Sequence, residues 1–152
     1  MNTTEFVTES NRIERILRAP TQAEIDAHDR FVSLPRLTLD ELIRFVEVYQ
    51  PDAELRVRAG LNVTVGDHVP PMGGPAVGYA LKDLLERANA STCPFSIHVE
   101  YETLHPFTDG NGRSGRAIWA WMMENLYGGY PLGFLHHFYY QSLSGTRLPE
   151  RG

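Results

Sequence analysis

Leu39, Leu42, Ile43, Val46 and Tyr49 recur at the three- and four-residue spacing of one helical face, and the pattern stops at Pro51. Thr38 and Glu41 stand ahead of it at capping-box spacing. Thr21 and Glu24 repeat that signal after Pro20, and Ile25 and Phe31–Val32 then predict a second helix. Phe6, Ile13, Ile16 and Leu17 anchor another over about 3–18. Across 55–65, LRVRAGLNVTV, the period falls to two: Leu55 and Val57 alternate with arginines, Ala59-Gly60 can turn, and Leu61, Val63 and Val65 alternate with polar residues. That pattern predicts a short β-hairpin. GDHVPPMGGP reads as a loop. Helical spacing returns over 75–90 through Val77, Leu81, Leu84, Leu85 and Ala88. Residues 95–104, FSIHVEYETL, are apolar nearly all round and predict a mostly buried helix. Further helices are expected over about 113–126 and 131–143. With no repeat, low-complexity tract or long linker, residues 1–152 read as one compact all-α domain carrying a β-hairpin.

Composition narrows the function. At 152 residues and 42% hydrophobic, the chain supports one core of ordinary size. The polar start, MNTTEFVTESNRIER, does not resemble a secretory signal, and no apolar run is long enough to cross a membrane. The lone Cys93 has no partner for an internal disulfide, which fits a reducing, cytoplasmic setting. A net charge of −5 argues against a nucleic-acid partner, which would need a basic face. Lys82 is the only lysine and follows no glycine-rich loop, so a Walker-type phosphate loop is excluded. The arginine-heavy cations suggest a GC-rich bacterial genome.

The densest chemistry lies in HPFTDGNGRSGR, residues 105–116. Gly110 and Gly112 permit backbone angles closed to other residues, so successive N–H groups can converge on an anion. The helix that follows adds its positive N-terminal end. Arg113 and Arg116, three apart, can both reach a polyphosphate with forked guanidiniums. Asp109 supplies a hard oxygen suited to Mg²⁺. His105 has an ordinary pKa near 6.5 and can accept a proton at neutral pH. Each part alone is commonplace, a turn or a solvated arginine. Two cations at a helix N-terminus, however, oppose its dipole unless an anion joins them. Together the parts make the inventory of a phosphoryl-transfer site.

HPFTDGNGRSGR matches, at every defined position, the signature HPFx[DE]GNGRxxR of the Fic family, which the chain therefore resembles. The related Doc branch carries alanine and lysine where this chain has Gly110 and Gly112. The resemblance extends to a helix–motif–helix core over about 75–142 and an upstream "flap". It implies an enzyme, a protein adenylyltransferase that moves AMP from ATP to a Ser, Thr or Tyr hydroxyl of a protein target, possibly the chain itself. His105 would deprotonate the hydroxyl, and Asp109 would hold Mg²⁺ between the α- and β-phosphates. Asn111 and the N–H groups around Gly110 and Gly112 would hold phosphate oxygens, with Arg113 near the β-phosphate and Arg116 on the γ-phosphate. Phe107 would anchor the loop in the core. The flap, residues 55–65 with Leu61, Asn62, Val63 and Thr64, would align the target by strand addition, with Asp67 and His68 flanking it.

The resemblance also draws attention to TESNRIER at 8–15. Many Fic proteins carry an inhibitory helix of pattern [ST]xxxE[GN], and Ser10 and Glu14 match it, although Arg15 stands where glycine or asparagine is usual. Four residues apart, Ser10 and Glu14 share a helical face. In the family this glutamate pairs with the second motif arginine, here Arg116, and competes with the γ-phosphate. The implied restraint is thus in cis. Thr146 and Glu150 repeat the spacing, but Pro149 between them argues against a helix. Adjacent His136 and His137 point about 100° apart on a helix and suggest no metal site; Tyr139 and Tyr140, in a last helix, read as core rather than as an adenine wall. Other readings keep the scaffold but change the donor nucleotide, reverse the reaction to remove AMP, or leave a catalytically silent nucleotide-binding module.

Overall fold

A computed structural model describes residues 2–129. Within them the chain forms six helices: α1 Thr3–Ile13, α2 Gln22–Val32, α3 Leu39–Tyr49, α4 Pro75–Asn89, α5 Pro94–Leu104 and α6 Asn111–Tyr127. The helix expected over 131–143 and the residues singled out beyond it lie outside the described residues.

The central element is α6. Every residue from Arg113 to Met122 is buried, and α6 packs on α5, α2, α1 and α3. Ala117, Ile118, Trp121 and Met122 join the main core with Leu42, Phe45 and Val46 of α3, Leu81 and Leu84 of α4, and Ile97 and Tyr101 of α5. Trp119 and Ala120 turn the other way and form a smaller cluster with Phe6 of α1. A helix buried on most sides needs the all-round apolar surface that its sequence carries.

The start signals operate, in one case by halves. Thr21 and Glu24 form both arms of their capping box. Thr38 caps the Glu41 N–H at 3.2 Å, but the Glu41 carboxylate accepts from Arg30 instead, at 2.6 Å. Proline opens α4 and α5 at the first turn, where its missing N–H would have no helical partner anyway. The segment expected to be helical to residue 18 stops at Ile13, and Leu17 is 80% exposed. Nor is α5 buried all round: Pro94, Ile97, His98, Tyr101 and Leu104 face inward, whereas Phe95 faces out. In α2 the buried stripe is Glu24, His28 and Phe31, so two of its three members are polar.

The expected hairpin over 55–65 is not formed. Among the described residues there are no strands, only isolated bridges pairing Leu55 with Phe107 and Val65 with His68. The reason is Arg56, which alternation assigns to solvent and which is fully buried instead. Its Nε donates to the His105 carbonyl at 2.7 Å, Nη2 to Leu104 at 2.9 Å, and Nη1 to Leu61 and Pro71 at 3.0 and 2.8 Å. The Arg56 N–H and C=O also pair away from 57–65, with Pro106 and Gly74. Residues 55–74 therefore wrap around one guanidinium instead of pairing as the two strands of a hairpin over 55–65. Leu104 and His105 end α5, so the cation meets the negative end of that helix. Gly73 admits this wrap: a Cβ there would lie 2.6 Å from the Leu61 carbonyl oxygen.

Replacing Arg56 with methionine fills the space but leaves four carbonyls without their donor. The variant is expected to lose about 3 kcal/mol or more of stability, read as a shift in the urea midpoint; an unchanged midpoint would contradict this role.

Candidate active site

The motif loop is tied down before it reaches the cavity. His105 ends α5 with φ 50°, a left-handed conformation unusual for a non-glycine residue. Phe107 is buried in the main core, as expected of an anchor. The Asn111 side chain closes the loop on itself: Oδ1 accepts from the Phe107 N–H at 2.9 Å, and Nδ2 donates to the Phe107 carbonyl at 2.8 Å. Its side chain is thus a buried clasp, and the backbone N–H is what Asn111 can offer an anion. Gly110, at φ 80°, makes the reversal into α6. Ser114, to which the signature assigns no role, holds the first turn: its hydroxyl donates to the Gly110 carbonyl at 2.8 Å and lies 2.7 Å from the buried Tyr101 hydroxyl.

Asp109, Gly110, Gly112, Arg113 and His105 line one cavity of about 620 Å³, with Gln50 and Glu14 on its walls. The first N–H groups of α6 have no helical acceptor and give this rim a positive potential. The Gly110 N–H is satisfied by Asp109 Oδ1 at 2.8 Å, while Asp109 itself stays exposed on the cavity. No cluster of three metal-ligating side chains exists among the described residues. A single exposed carboxylate beside an anion cradle fits Mg²⁺, which takes few protein ligands and shares phosphates.

The two arginines are held differently. Arg116 is fully buried: Nε donates to the Ser10 hydroxyl at 2.8 Å, and Nη2 to the Ser10 carbonyl at 2.9 Å and to Glu14 Oε2 at 2.8 Å. The spacing of Ser10 and Glu14 thus brings both onto Arg116. Glu14 is the C-cap of α1, with 36% of its side chain accessible. Its carboxylate rests so close to α6 that a Cβ on Gly112 would fall 2.1 Å from Oε2. Beyond Glu14 the chain turns through Arg15 at φ 63°. Arg15 N–H bonds the Arg12 carbonyl and Ile16 N–H the Asn11 carbonyl, the two bonds of a Schellman end. Glycine or asparagine suits such a position; arginine there carries strain of about 1–2 kcal/mol.

Arg113 lies between α6, α3 and α1. Nη2 donates to Gln50 Oε1 at 2.8 Å, Nη1 reaches Asn11 Oδ1 at 3.4 Å, and the guanidinium sits 5.5 Å from the Tyr49 ring centre. Burial lowers its pKa, and Glu14 and Glu24 oppose that shift. Sequence reasoning missed Gln50 because an amide at the end of a helix carries no motif.

His105 is half-buried. Its pKa is lowered, first by burial and further by Arg56 and His68, against an opposing backbone hydrogen bond and Glu14. The Glu102 backbone lies near enough to the ring to oppose the shift, but no hydrogen bond of good geometry reaches the buried Nδ1 among the described residues. Of the flap residues, Leu61 and Asn62 hold the loop, Asn62 by accepting the Gly73 N–H at 2.8 Å. Val63 and Thr64 face the cavity. The His68 Nε2 lies 2.8 Å from the Thr103 carbonyl, tying the same loop to α5.

The family model described as Fic/DOC matches residues 26–123, and the chain belongs to that family. Its members are generally transferases. The matched stretch includes the motif and leaves Ser10 and Glu14 of α1 outside it. No curated protein matches the chain. No helix among the described residues is long and apolar enough to cross a membrane.

Two buried histidines flank this framework. His28 packs on Phe6, with ring centres 4.4 Å apart, and His98 lies under α6; burial lowers both to about 4. With folded pKa values below the ordinary 6.5, both contribute stability that is complete above pH 6.5 and lost as pH falls through about 4. Each is expected to add a slope approaching 1.4 kcal/mol per pH unit within that window. Urea titrations at pH 7, 6 and 5 should show the decline, and His28→Leu should remove about half of the slope.

Proposed function

We propose that the chain is a protein adenylyltransferase that uses Mg²⁺–ATP and is restrained in cis by Glu14. The observation that carries this reading is the Glu14 carboxylate, seated against the Gly112 backbone and on Arg116 at 2.8 Å. A carboxylate at a helix N-terminus beside a buried guanidinium occupies ground suited to a phosphate. A polyphosphate lying along the rim would meet the free N–H groups of α6 and Arg113, and its far end would compete with Glu14 for Arg116.

In the reaction, the target hydroxyl gives its proton to the neutral imidazole of His105 as its oxygen bonds to the α-phosphorus. The bond from that phosphorus to the oxygen bridging the β-phosphate breaks, and pyrophosphate leaves. Mg²⁺ held by Asp109 would neutralise the phosphates and the charge growing on the leaving group. The family membership supports transferase chemistry, and the lowered pKa of His105 keeps its ring unprotonated at neutral pH. Val63 and Thr64, which line the same cavity as His105, are suited to steer the target segment.

Removing the restraint tests the reading. Glu14→Gly should raise transfer of label from α-labelled ATP by roughly tenfold or more, the value of a charge-assisted hydrogen bond. His105→Ala in that background should lower transfer by about 10²–10⁴-fold while nucleotide still binds by calorimetry. Equal activity with and without Glu14 would remove it from the mechanism, and full turnover without His105 would remove the base.

The pH dependence follows from the same imidazole. Because its pKa is lowered, the base stays available in mild acid, so the acid limb of kcat/KM should fall below the ordinary histidine value of about 6.5. A limb at or above 6.5 would contradict the assignment.

A further inference from the structure

Arg113 has a second anionic neighbour. The Glu24 carboxylate, buried in α2, has Oε2 4.0 Å from Arg113 Nη1. An ion pair between two groups so deeply buried would hold the guanidinium tightly. They meet only at the outer limit of ion-pair distance, with no hydrogen bond between them, because Glu24 is already satisfied. Arg18 grips both its oxygens, Nη1 to Oε1 and Nη2 to Oε2, each at 2.9 Å. Oε1 also accepts from the Thr21 N–H at 2.9 Å and from Asn11 Nδ2 at 3.4 Å. On Oε2, Arg18 is the only donor within hydrogen-bond distance among the described residues. Arg113 therefore turns to a neutral acceptor on the cavity wall, Gln50 Oε1. Its buried Nε has no partner among the described residues.

We infer that Arg18 is a positioning residue for the phosphate cavity: by occupying Glu24 it leaves Arg113 with an uncommitted positive charge facing the cavity. Arg18 is half exposed, on the connection between α1 and α2, and does not line the cavity itself. Without Arg18, Oε2 loses its donor and the nearest guanidinium is that of Arg113. Closing that gap turns a phosphate ligand into half of a buried ion pair and draws it away from Gln50. Affinity for a polyphosphate then falls although no cavity residue has changed. The inference rests on the reading of the cavity as a polyphosphate site.

The test uses the full chain in the Glu14→Gly background, titrated calorimetrically with Mg²⁺–ATP and with inorganic tripolyphosphate, and melting temperatures are recorded alongside. Arg18→Ala should weaken binding of both probes by about tenfold or more, one bidentate charged contact. Adding Glu24→Gln should restore affinity to within about threefold of the parent, because a neutral amide does not capture Arg113 while still serving the capping box. A merely structural salt bridge predicts the opposite, since the double change would bind no better than Arg18→Ala alone. Arg18→Lys, which keeps the charge, should stay close to the parent and covers the case in which Arg18→Ala folds poorly. Undiminished affinity in a folded Arg18→Ala protein, or no recovery on adding Glu24→Gln, overturns the inference alone. If the parent binds neither probe, the polyphosphate reading fails and the inference falls with it.

Discussion

Two guanidiniums are buried beside the positive end of a helix, and much of the surrounding structure answers that constraint. Arg113 and Arg116 share the first turns of α6, where the helix dipole and their mutual repulsion both disfavour positive charge. Burial adds a desolvation cost that only acceptors can offset. The acceptors come from two directions, Ser10, Asn11 and Glu14 at the end of α1 and Gln50 at the end of α3, with the Glu24 carboxylate of α2 4.0 Å from Arg113. The docking of α1 on α6 is in this sense an electrostatic event as much as an apolar one.

That arrangement explains why α2 buries a polar stripe. Glu24 caps its own helix, accepts from Asn11 and binds Arg18, so one carboxylate joins the start of α2 to the end of α1. Those contacts hold its pKa near 2, Arg18 contributing most. Tyr49, whose ring lies beside Arg113, donates its hydroxyl to the Glu24 carbonyl at 2.7 Å. Arg113 thus rests on a shared hydrogen-bonded layer contributed by three helices.

The site was legible where its chemistry is contiguous. His105 to Arg116 fall within one loop and one helical turn, so composition and spacing alone bring them together. Ser10 and Glu14, remote in sequence, were found because the family resemblance supplies the pattern they match, and helical spacing then gives them one face. Arg56 was not legible, because alternation assumes that a charged residue in a strand-like run faces water. Its four carbonyl partners are scattered over 61–105, and no local pattern announces them. Gln50, and Tyr101 under Ser114, were missed for the same reason: each acts through a hydrogen bond between elements that periodicity does not encode. The all-helical class, by contrast, followed from caps and periodic stripes that were local and mutually consistent.

The small cluster of Phe6, Trp119 and Ala120 has its own consequence. The helix that leads to Glu14 is also a roof over an indole, so if Glu14 restrains the site as proposed, peeling or clipping away the whole segment would unveil a sticky aromatic floor. On that proposal, a signal that frees Arg116 while keeping the molecule well behaved would act at the Glu14 end alone. The left-handed kink at Arg15 lies at that end, so the final turn can loosen while the roof stays in place.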